Sequence, residues 1–192
     1  MRIDDLIQRM GGITKQLKSF ARKNTESFVP LNFNDAFQSA LSIMEPQLKQ
    51  TNVKIETSFA SEPVIIIGDQ QRLEQVIINL LRNALDAVIG VEQPEIKMSL
   101  YKDQSAIFSI KDNGKGISNL ETIFEPFQTT KDSSKGLGLG LALSSNIISE
   151  LGGMLQGKNR SSHGAEFKII LPLFDPSKID VRDKNINIGV EP

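Results

Sequence analysis

The stretch that decides the fold is residues 70–88, QQRLEQVIINLLRNALDAV, in which apolar residues recur every three or four positions. This spacing predicts an amphipathic helix, because side chains three and four positions apart share one helical face. The predicted buried face consists of Leu73, Val76, Ile77, Leu80, Leu81, Ala84 and Leu85. A helix with so wide an apolar stripe needs other elements to pack against it.

The flanking sequence supplies these elements between residues 31 and 174. Strand patterns occur at 53–59, 64–67, 96–101, 106–111, 154–158 and 166–171, and helix patterns at 34–49 and 141–151. We expect Asn32 or Asn34 to cap the first of these helices, and Pro46 to kink it or end it early. The series favours an α+β fold, in which helices cover one face of a mixed sheet.

Two further segments flank this domain. Apolar residues at alternating spacings of three and four in residues 3–20 predict a helix with a narrow seam that meets another helix. Packing on its own domain is a nearly equal alternative, because Gly11 and Gly12 weaken the helix. Residues 25–30 are interpreted as a linker, and the polar residues 175–192 as a disordered tail. The predicted division is therefore 1–30, 31–174 and 175–192.

Composition excludes several classes of function. The net charge is −1 with both signs interspersed, so neither nucleic acid nor an anionic membrane surface is an expected partner. The chain has no cysteine, which excludes a disulfide framework and thiolate chemistry. No apolar run is long enough to cross a bilayer, and we expect this piece to be soluble.

Polar residues interrupt the long helix at Asn79, Asn83 and Asp86, which share one face. A lone buried Asn is usually a cap or an internal hydrogen bond. Two Asn four positions apart in an apolar helix favour binding of a hard cation such as Mg²⁺, because amide oxygens are suitable ligands. Arg82 and Arg72 are expected to add positive charge nearby.

Two glycine clusters follow. DNGKGI, residues 112–117, comes directly after a strand; such a turn alone usually marks a hairpin, but here Asp112 is placed to accept a hydrogen bond from an amine such as that of adenine. GLGLGL, residues 136–141, leads into a helix, so its backbone N–H groups favour a phosphate chain. Between them, FEPFQTTK at 124–131 offers two Phe that anchor a loop, with Thr129, Thr130 and Lys131 able to reach phosphates. The patterns of a P-loop and of a dinucleotide-binding turn are both missing.

In this order, NLLRNALDA, DNGKGI, FEPFQTTK and GLGLGL resemble the four nucleotide-binding motifs of the histidine-kinase catalytic domain, within the ATPase superfamily that includes gyrase. The resemblance extends over residues 31–173, and the motif sequences are similar to those of the nitrogen-regulation and C4-dicarboxylate sensor kinases. The opening RMGGITKQLKSFARK is similar to the second dimerisation helix of the C4-dicarboxylate group. The resemblance implies a two-layer α/β sandwich with a flexible ATP lid, preceded by one helix of the dimerisation domain.

The resemblance also implies roles. Asn79 and Asn83 would hold Mg²⁺ and, with Arg82, act in catalysis. ATP or ADP would be bound by Asn83, Asp86, Asp112, Gly114, Gly116, Ile117, Phe127, Thr129, Thr130, Lys131, Gly136, Leu137, Gly138, Leu139, Gly140 and Leu141. Many family members have Lys at the position of Asp86, so orienting Arg82 is its alternative role. Ala165 stands where a Thr often lies near the adenine.

The phosphoryl acceptor is expected outside this chain. His163 is the only histidine, and its context SSHGAEF indicates a solvated turn. The resemblance therefore implies a separate dimerisation and phosphotransfer domain, a downstream response regulator, a homodimeric full-length protein, and a cytoplasmic position beneath upstream membrane and sensor segments.

Three other functions are alternatives to phosphoryl transfer to histidine. A non-kinase ATPase of the superfamily commonly has an acidic residue where Asn79 stands, and a serine kinase of the anti-sigma type is disfavoured by the leading helix. A regulatory nucleotide-binding module is disfavoured because the motif positions are intact.

Overall fold

The computed structural model describes residues 28–128 and 138–178. The elements in chain order are β1 (Val29–Asn32), α1 (Phe33–Leu48), β2 (Lys54–Ser58), β3 (Ile65–Gly68), α2 (Gln70–Ala87), β4 (Glu95–Lys102), β5 (Ala106–Asp112), α3 (Gly140–Glu150), β6 (Met154–Asn159) and β7 (Ala165–Leu171). A 3₁₀ turn at Pro176–Lys178 follows. The predicted leading helix lies outside the described residues, as does the predicted tail beyond residue 178.

The main sheet has five strands in the order β2-β4-β5-β7-β6. The β2–β4 pair is parallel and the other three pairs are antiparallel, so the sheet is mixed. β1 and β3 form a separate antiparallel pair. This arrangement confirms the predicted α+β class with two layers, one of helices and one of sheet.

The core lies between the sheet and the helices. On β5 the alternate residues Ala106, Phe108 and Ile110 are buried, as the period of two in a strand requires. The ring of Phe108 lies 5.0 Å from that of Phe37, in an edge-to-face contact, and 6.0 Å from that of Phe33. These contacts fix α1 over the central strand, and truncating such a ring to Ala typically costs about 3–5 kcal/mol.

The structure differs from the sequence prediction at both ends of α1. Strand β1 begins at Val29, inside the segment interpreted as a linker, because pairing with β3 decides its structure and local pattern does not. At the other end, Pro46 neither ends nor shortens the helix, which continues to Leu48. Pro46 is exposed in the last turn, where water can satisfy the carbonyl that loses its partner.

Asn32 is the cap of α1. Its Oδ1 accepts hydrogen bonds from the backbone N–H of Asn34 at 3.2 Å and of Val64 at 3.1 Å. The alternative cap, Asn34, uses its side chain elsewhere, donating to the carbonyls of Ala60 and Glu62. The start of α1 is therefore tied to the segment that enters β3.

Candidate functional site

Helix α2 carries the first part of the candidate site on the side that does not enter the core. Asn79 and Asn83 are half-buried, whereas Arg82 and Asp86 are exposed. The predicted buried face of the helix is buried in full. Because the apolar stripe packs into the core, the predicted polar face of the helix is directed away from the core.

Asn79 lies where α2 meets the start of α3. Its Nδ2 donates a hydrogen bond of 2.9 Å to the Oγ of Ser144, which is buried. A Cβ atom on Gly140 would lie only 2.4 Å from the Oδ1 of Asn79. The amide thus joins the two helices and directs its carbonyl oxygen at the first residue of α3.

Arg72 lies at the other end of this helix pair. Its guanidinium pairs with the carboxylate of Glu150, the last residue of α3. Because Asn79 contacts the start of α3, the two helices run antiparallel, and an eleven-residue helix is about 16 Å long. The expectation that Arg72 adds charge near Asn79 is wrong, since this residue links the far ends of the helices.

Asp112 ends strand β5 and is 3% exposed. Its Oδ1 accepts hydrogen bonds from the backbone N–H groups of Gly114 at 2.9 Å and Ala165 at 3.2 Å. Burial raises the pKa of the Asp112 carboxyl, and the bonds from Gly114 and Ala165, with the charge of Arg160, offset only part of that rise. The result is a rigid, buried acceptor at the end of the central strand.

The loop after Asp112 packs on the end of α2. The N–H of Lys115 donates to the Ala87 carbonyl at 3.3 Å, and a Cβ on Gly114 would lie 2.3 Å from the same oxygen. Gly116 has a positive φ of 75°. Since Ala87 is one helical turn beyond Asn83, these contacts bring the first glycine cluster beside the polar face of α2.

The second glycine cluster is described from Gly138 onward. Gly138 has a φ of 68°, and a Cβ there would lie 2.6 Å from the Gln128 carbonyl oxygen. Leu139 is buried and Gly140 begins α3. Among the described residues, the helix start has no side-chain cap, so its N–H groups suit an anion.

The structure leaves part of the predicted site undescribed. Thr129, Thr130, Lys131, Gly136 and Leu137 lie outside the described residues. Phe127, just before that gap, is 68% exposed with a φ of 66°, so the expectation that both Phe anchor the loop is wrong for Phe127. Phe124, Leu141 and Ile117 are partly buried against the core.

Sequence reasoning missed the contribution of the β6–β7 hairpin. Asn159 bonds to the backbone of Ile117, and Arg160 donates to the Asp112 carbonyl at 2.7 Å. These contacts join positions more than 40 residues apart, and no local pattern marks them. His163, in the same hairpin, is exposed, as its turn context predicted.

The profile of the family described as histidine kinase-, DNA gyrase B-, and HSP90-like ATPase matches residues 68–175. The match includes α2 and both glycine clusters. The chain belongs to this ATPase family.

Curated relatives place the ATPase domain among two-component sensor kinases. The chain is 34% identical over 185 residues to the two-component sensor PprA of Pseudomonas aeruginosa, and the match covers 92% of this chain and 20% of that protein. It is also 34% identical over 174 residues to the C4-dicarboxylate transport sensor protein DctB of the same organism, covering 88% of this chain and 28% of that protein. The chain thus spans about a quarter of the length of these relatives.

Solved structures agree with this placement. The catalytic domain of histidine kinase ThkA, in a nucleotide-free form, matches with a TM-score of 0.66 and 29% identity, over 76% of this chain and 95% of that one. ThkA in complex with the response regulator protein TrrA matches with a TM-score of 0.73 and 25% identity, over 92% of this chain and 51% of that one. The fold is that of histidine-kinase catalytic domains.

In the ATPase domain, the second half of α2 contacts the start of α3 at Asn79 and the loop after Asp112 at Ala87. Within the described ranges, no helix combines the length and apolarity needed to span a bilayer.

Proposed function

We propose that this chain binds Mg-ATP and transfers its γ-phosphoryl group to a histidine on the dimerisation domain of a sensor kinase. The observation that carries the proposal is the placement of Asp112. This buried carboxylate ends β5, and the loop that follows it is hydrogen-bonded to Ala87, at the end of the helix that presents Asn79 and Asn83.

Asp112 would recognise the adenine. Its Oδ1 is held by Gly114 and Ala165, so the carboxylate is oriented before any ligand arrives. An ionised carboxylate only accepts hydrogen bonds, which suits an exocyclic amine and disfavours a carbonyl at the same place. This end of the site therefore selects adenine over guanine.

The polar face of α2 would hold the phosphates. The donor set suits Mg²⁺, because the amide oxygens of Asn79 and Asn83 are hard, neutral ligands that leave the metal its charge for the phosphates. Bound there, the ion would neutralise charge on the β- and γ-phosphates. Arg82 and the N–H groups at the start of α3 would add positive potential on either side.

Transfer itself requires little covalent chemistry from the domain. Phosphoryl transfer depends mainly on positioning and on charge stabilisation, which the preceding groups would supply. The acceptor histidine would come from a separate dimerisation domain, since the context SSHGAEF of His163, the chain's only histidine, indicates a solvated turn. Residues 1–30 would be the second dimerisation helix with its connection, and residues 31–174 the catalytic domain.

The relatives support the rest of the proposal. A response regulator would accept the phosphoryl group, as the ThkA–TrrA complex suggests. The full-length protein would be a homodimer anchored in the inner membrane through segments upstream of this chain, with a C4-dicarboxylate as the signal, as the similarity to DctB suggests.

Titration calorimetry with ADP and a non-hydrolysable ATP analogue, with and without Mg²⁺, tests the nucleotide site. We expect magnesium-dependent binding by the wild type and its loss in Asn83→Ala. Asn146→Ala is the matched control, since Asn146 is exposed on α3. A folded wild type that binds neither nucleotide contradicts the proposal.

Transfer is tested separately, by adding a purified histidine-bearing dimerisation domain of a DctB-type kinase together with labelled ATP. Label on the added domain supports the kinase function. Intact nucleotide binding without transfer to any such domain would instead support a regulatory module.

A further inference from the structure

The β6–β7 hairpin contacts the first glycine cluster through a paired hydrogen bond. The Oδ1 of Asn159 accepts from the N–H of Ile117 at 2.7 Å, and the Nδ2 of Asn159 donates to the carbonyl of Ile117 at 2.9 Å. One side chain thereby satisfies both backbone groups of a single loop residue, as a neighbouring strand would.

The same hairpin holds Asp112 at two other points. Arg160 donates to the Asp112 carbonyl at 2.7 Å, and the N–H of Ala165 bonds to the carboxylate. Gly164 packs so closely that a Cβ would lie 2.0 Å from the Asp112 carbonyl oxygen. The backbone of Asp112 is thus fixed by the hairpin on one side and continues into the Ile117 loop on the other.

Between these two anchors lies Gly116, whose positive φ gives the loop a conformation that is freely available to glycine. A Cβ at Gly116 would lie 2.8 Å from the Oδ1 of Asn159. The loop therefore passes directly against the Asn159 amide. The Lys115–Ala87 hydrogen bond holds the middle of the loop, and without the Asn159 amide the end at Gly116 and Ile117 would be able to take other conformations.

We propose that Asn159 is a positioning residue for base recognition, which holds the 112–117 loop in the shape that presents Asp112 to adenine. Arg160 supports the same loop at its other end. The inference rests on the proposed nucleotide site, and it adds a determinant of base specificity that acts through the loop it holds.

The test compares ADP and GDP binding by calorimetry, in Mg²⁺, for the wild type and Asn159→Ala. Two hydrogen bonds are lost, so we expect the dissociation constant for ADP to rise about tenfold. At C6, where adenine has the amine that Asp112 would accept, guanine has a carbonyl, so the weaker binding expected for GDP should not change. The preference for ADP over GDP should therefore fall about tenfold.

Asn119→Ala is the matched control, because Asn119 lies in the adjoining loop and bonds only locally to the N–H of Glu121 among the described residues. It should leave both constants unchanged. Arg160→Met provides a second test in case Asn159→Ala does not fold, and it should lower the ADP preference in the same direction.

Unchanged ADP binding in folded Asn159→Ala overturns the inference, as does an equal loss for ADP and GDP. If the Ala variant does not fold, an unchanged preference in Arg160→Met overturns it. A wild type that binds no ADP would instead refute the nucleotide site itself, so the two failures are distinguishable.

Discussion

The two ends of the candidate site are built in different ways. The proposed base end is formed by strands and a hairpin, and Asp112 is buried there. Its carboxylate, its backbone carbonyl and the loop that follows it are all hydrogen-bonded. The phosphate end is formed by the facing surfaces of α2 and α3, with Asn79 as their hydrogen-bonded link and Arg82 and Asp86 exposed. The proposed base end is thus rigid before any ligand binds, whereas the proposed phosphate end leaves side chains in contact with water.

This difference predicts opposite responses to mutation. At the base end a small change meets backbone atoms that cannot move, so specificity is lost abruptly. At the phosphate end the neighbours are side chains that can rotate, so affinity should decline in smaller steps. The predictions below test that contrast, starting with the largest effect.

Asp112→Asn should have the largest effect. The amide can still accept the Gly114 and Ala165 bonds through its oxygen, but the site loses the charge that strengthens the bond to the adenine amine. We expect ADP affinity to fall by about 10- to 100-fold, since a hydrogen bond to a charged group is worth roughly 1.5–3 kcal/mol. Titration calorimetry measures this ADP affinity, and Asp103→Asn in the exposed β4–β5 turn is the control.

The same variant should not lose stability at neutral pH. Because burial raises the pKa of Asp112 in the folded state, its ionisation destabilises the fold as pH rises through that pKa. Denaturation at pH 7.5 should therefore find Asp112→Asn at least as stable as the wild type, and its advantage should shrink toward pH 4. A variant that is less stable at pH 7.5 would contradict this explanation.

Two glycine substitutions compare the ends directly. In Gly114→Ala the new Cβ meets the Ala87 carbonyl at 2.3 Å, and we expect the free energy of unfolding to fall by about 1–3 kcal/mol, with a smaller loss of ADP affinity than in Asp112→Asn. In Gly140→Ala the new Cβ meets the Asn79 side chain, which can move. Stability should then change by less than about 1 kcal/mol, because Ala also favours the helix.

Thermal melts and ADP titrations measure both variants. Gly90→Ala is the control: Gly90 has a φ of 82° with open space around it, so Ala there adds backbone strain without touching the site. Equal losses of stability and of ADP affinity in Gly114→Ala and Gly140→Ala would contradict the distinction between the two ends.

The sequence predicted the elements of the site better than it predicted the connections between them. The α2 stripe, the α+β class and the identity of the glycine clusters are local patterns, and the structure has the predicted helix and strands within a few residues. The contacts of Asn159 with Ile117 and of Arg72 with Glu150 depend on how strands and helices meet in space. Strand β1 was missed for the same reason, since only its pairing with β3 makes Val29 part of a strand.

Removing the Asn79–Ser144 hydrogen bond at the proposed phosphate end should lower stability by a moderate amount. Asn79→Ala and Ser144→Ala each remove one half-buried hydrogen bond, and each should cost about 1 kcal/mol of folding free energy. The double variant should cost less than the sum, because the two side chains share that bond. Additive losses in denaturant unfolding would show that the pair does not couple.

A substitution at Glu166 should have the smallest effect on stability. This residue follows Ala165 and lies on the outer side of the sheet. Burial would raise its pKa, but Lys158, Ser109, Lys168 and Lys111 together lower it. The carboxylate therefore stabilises the fold above its unfolded pKa, and that contribution is lost as pH falls through the lowered folded pKa.

Glu166→Gln should accordingly be less stable than the wild type at pH 7 by about 0.5–1 kcal/mol, since its lysine partners are partly exposed. The gap should close as the pH falls toward 3, measured by urea unfolding. This trend is opposite to that of the Asp112 variant on the neighbouring strand β5, and matching trends would refute the assignment of one of the two pKa shifts.

Asn32 connects a local event in folding with a distant one. Its Oδ1 receives one N–H from Asn34, within the first turn of α1, and one from Val64, 32 residues along the chain. The turn can form early, but the second bond requires the chain to close a long loop first. The amide protons of Asn34 and Val64 should then exchange with solvent in one cooperative opening, which makes this oxygen a reporter of whether helix and strand unfold together.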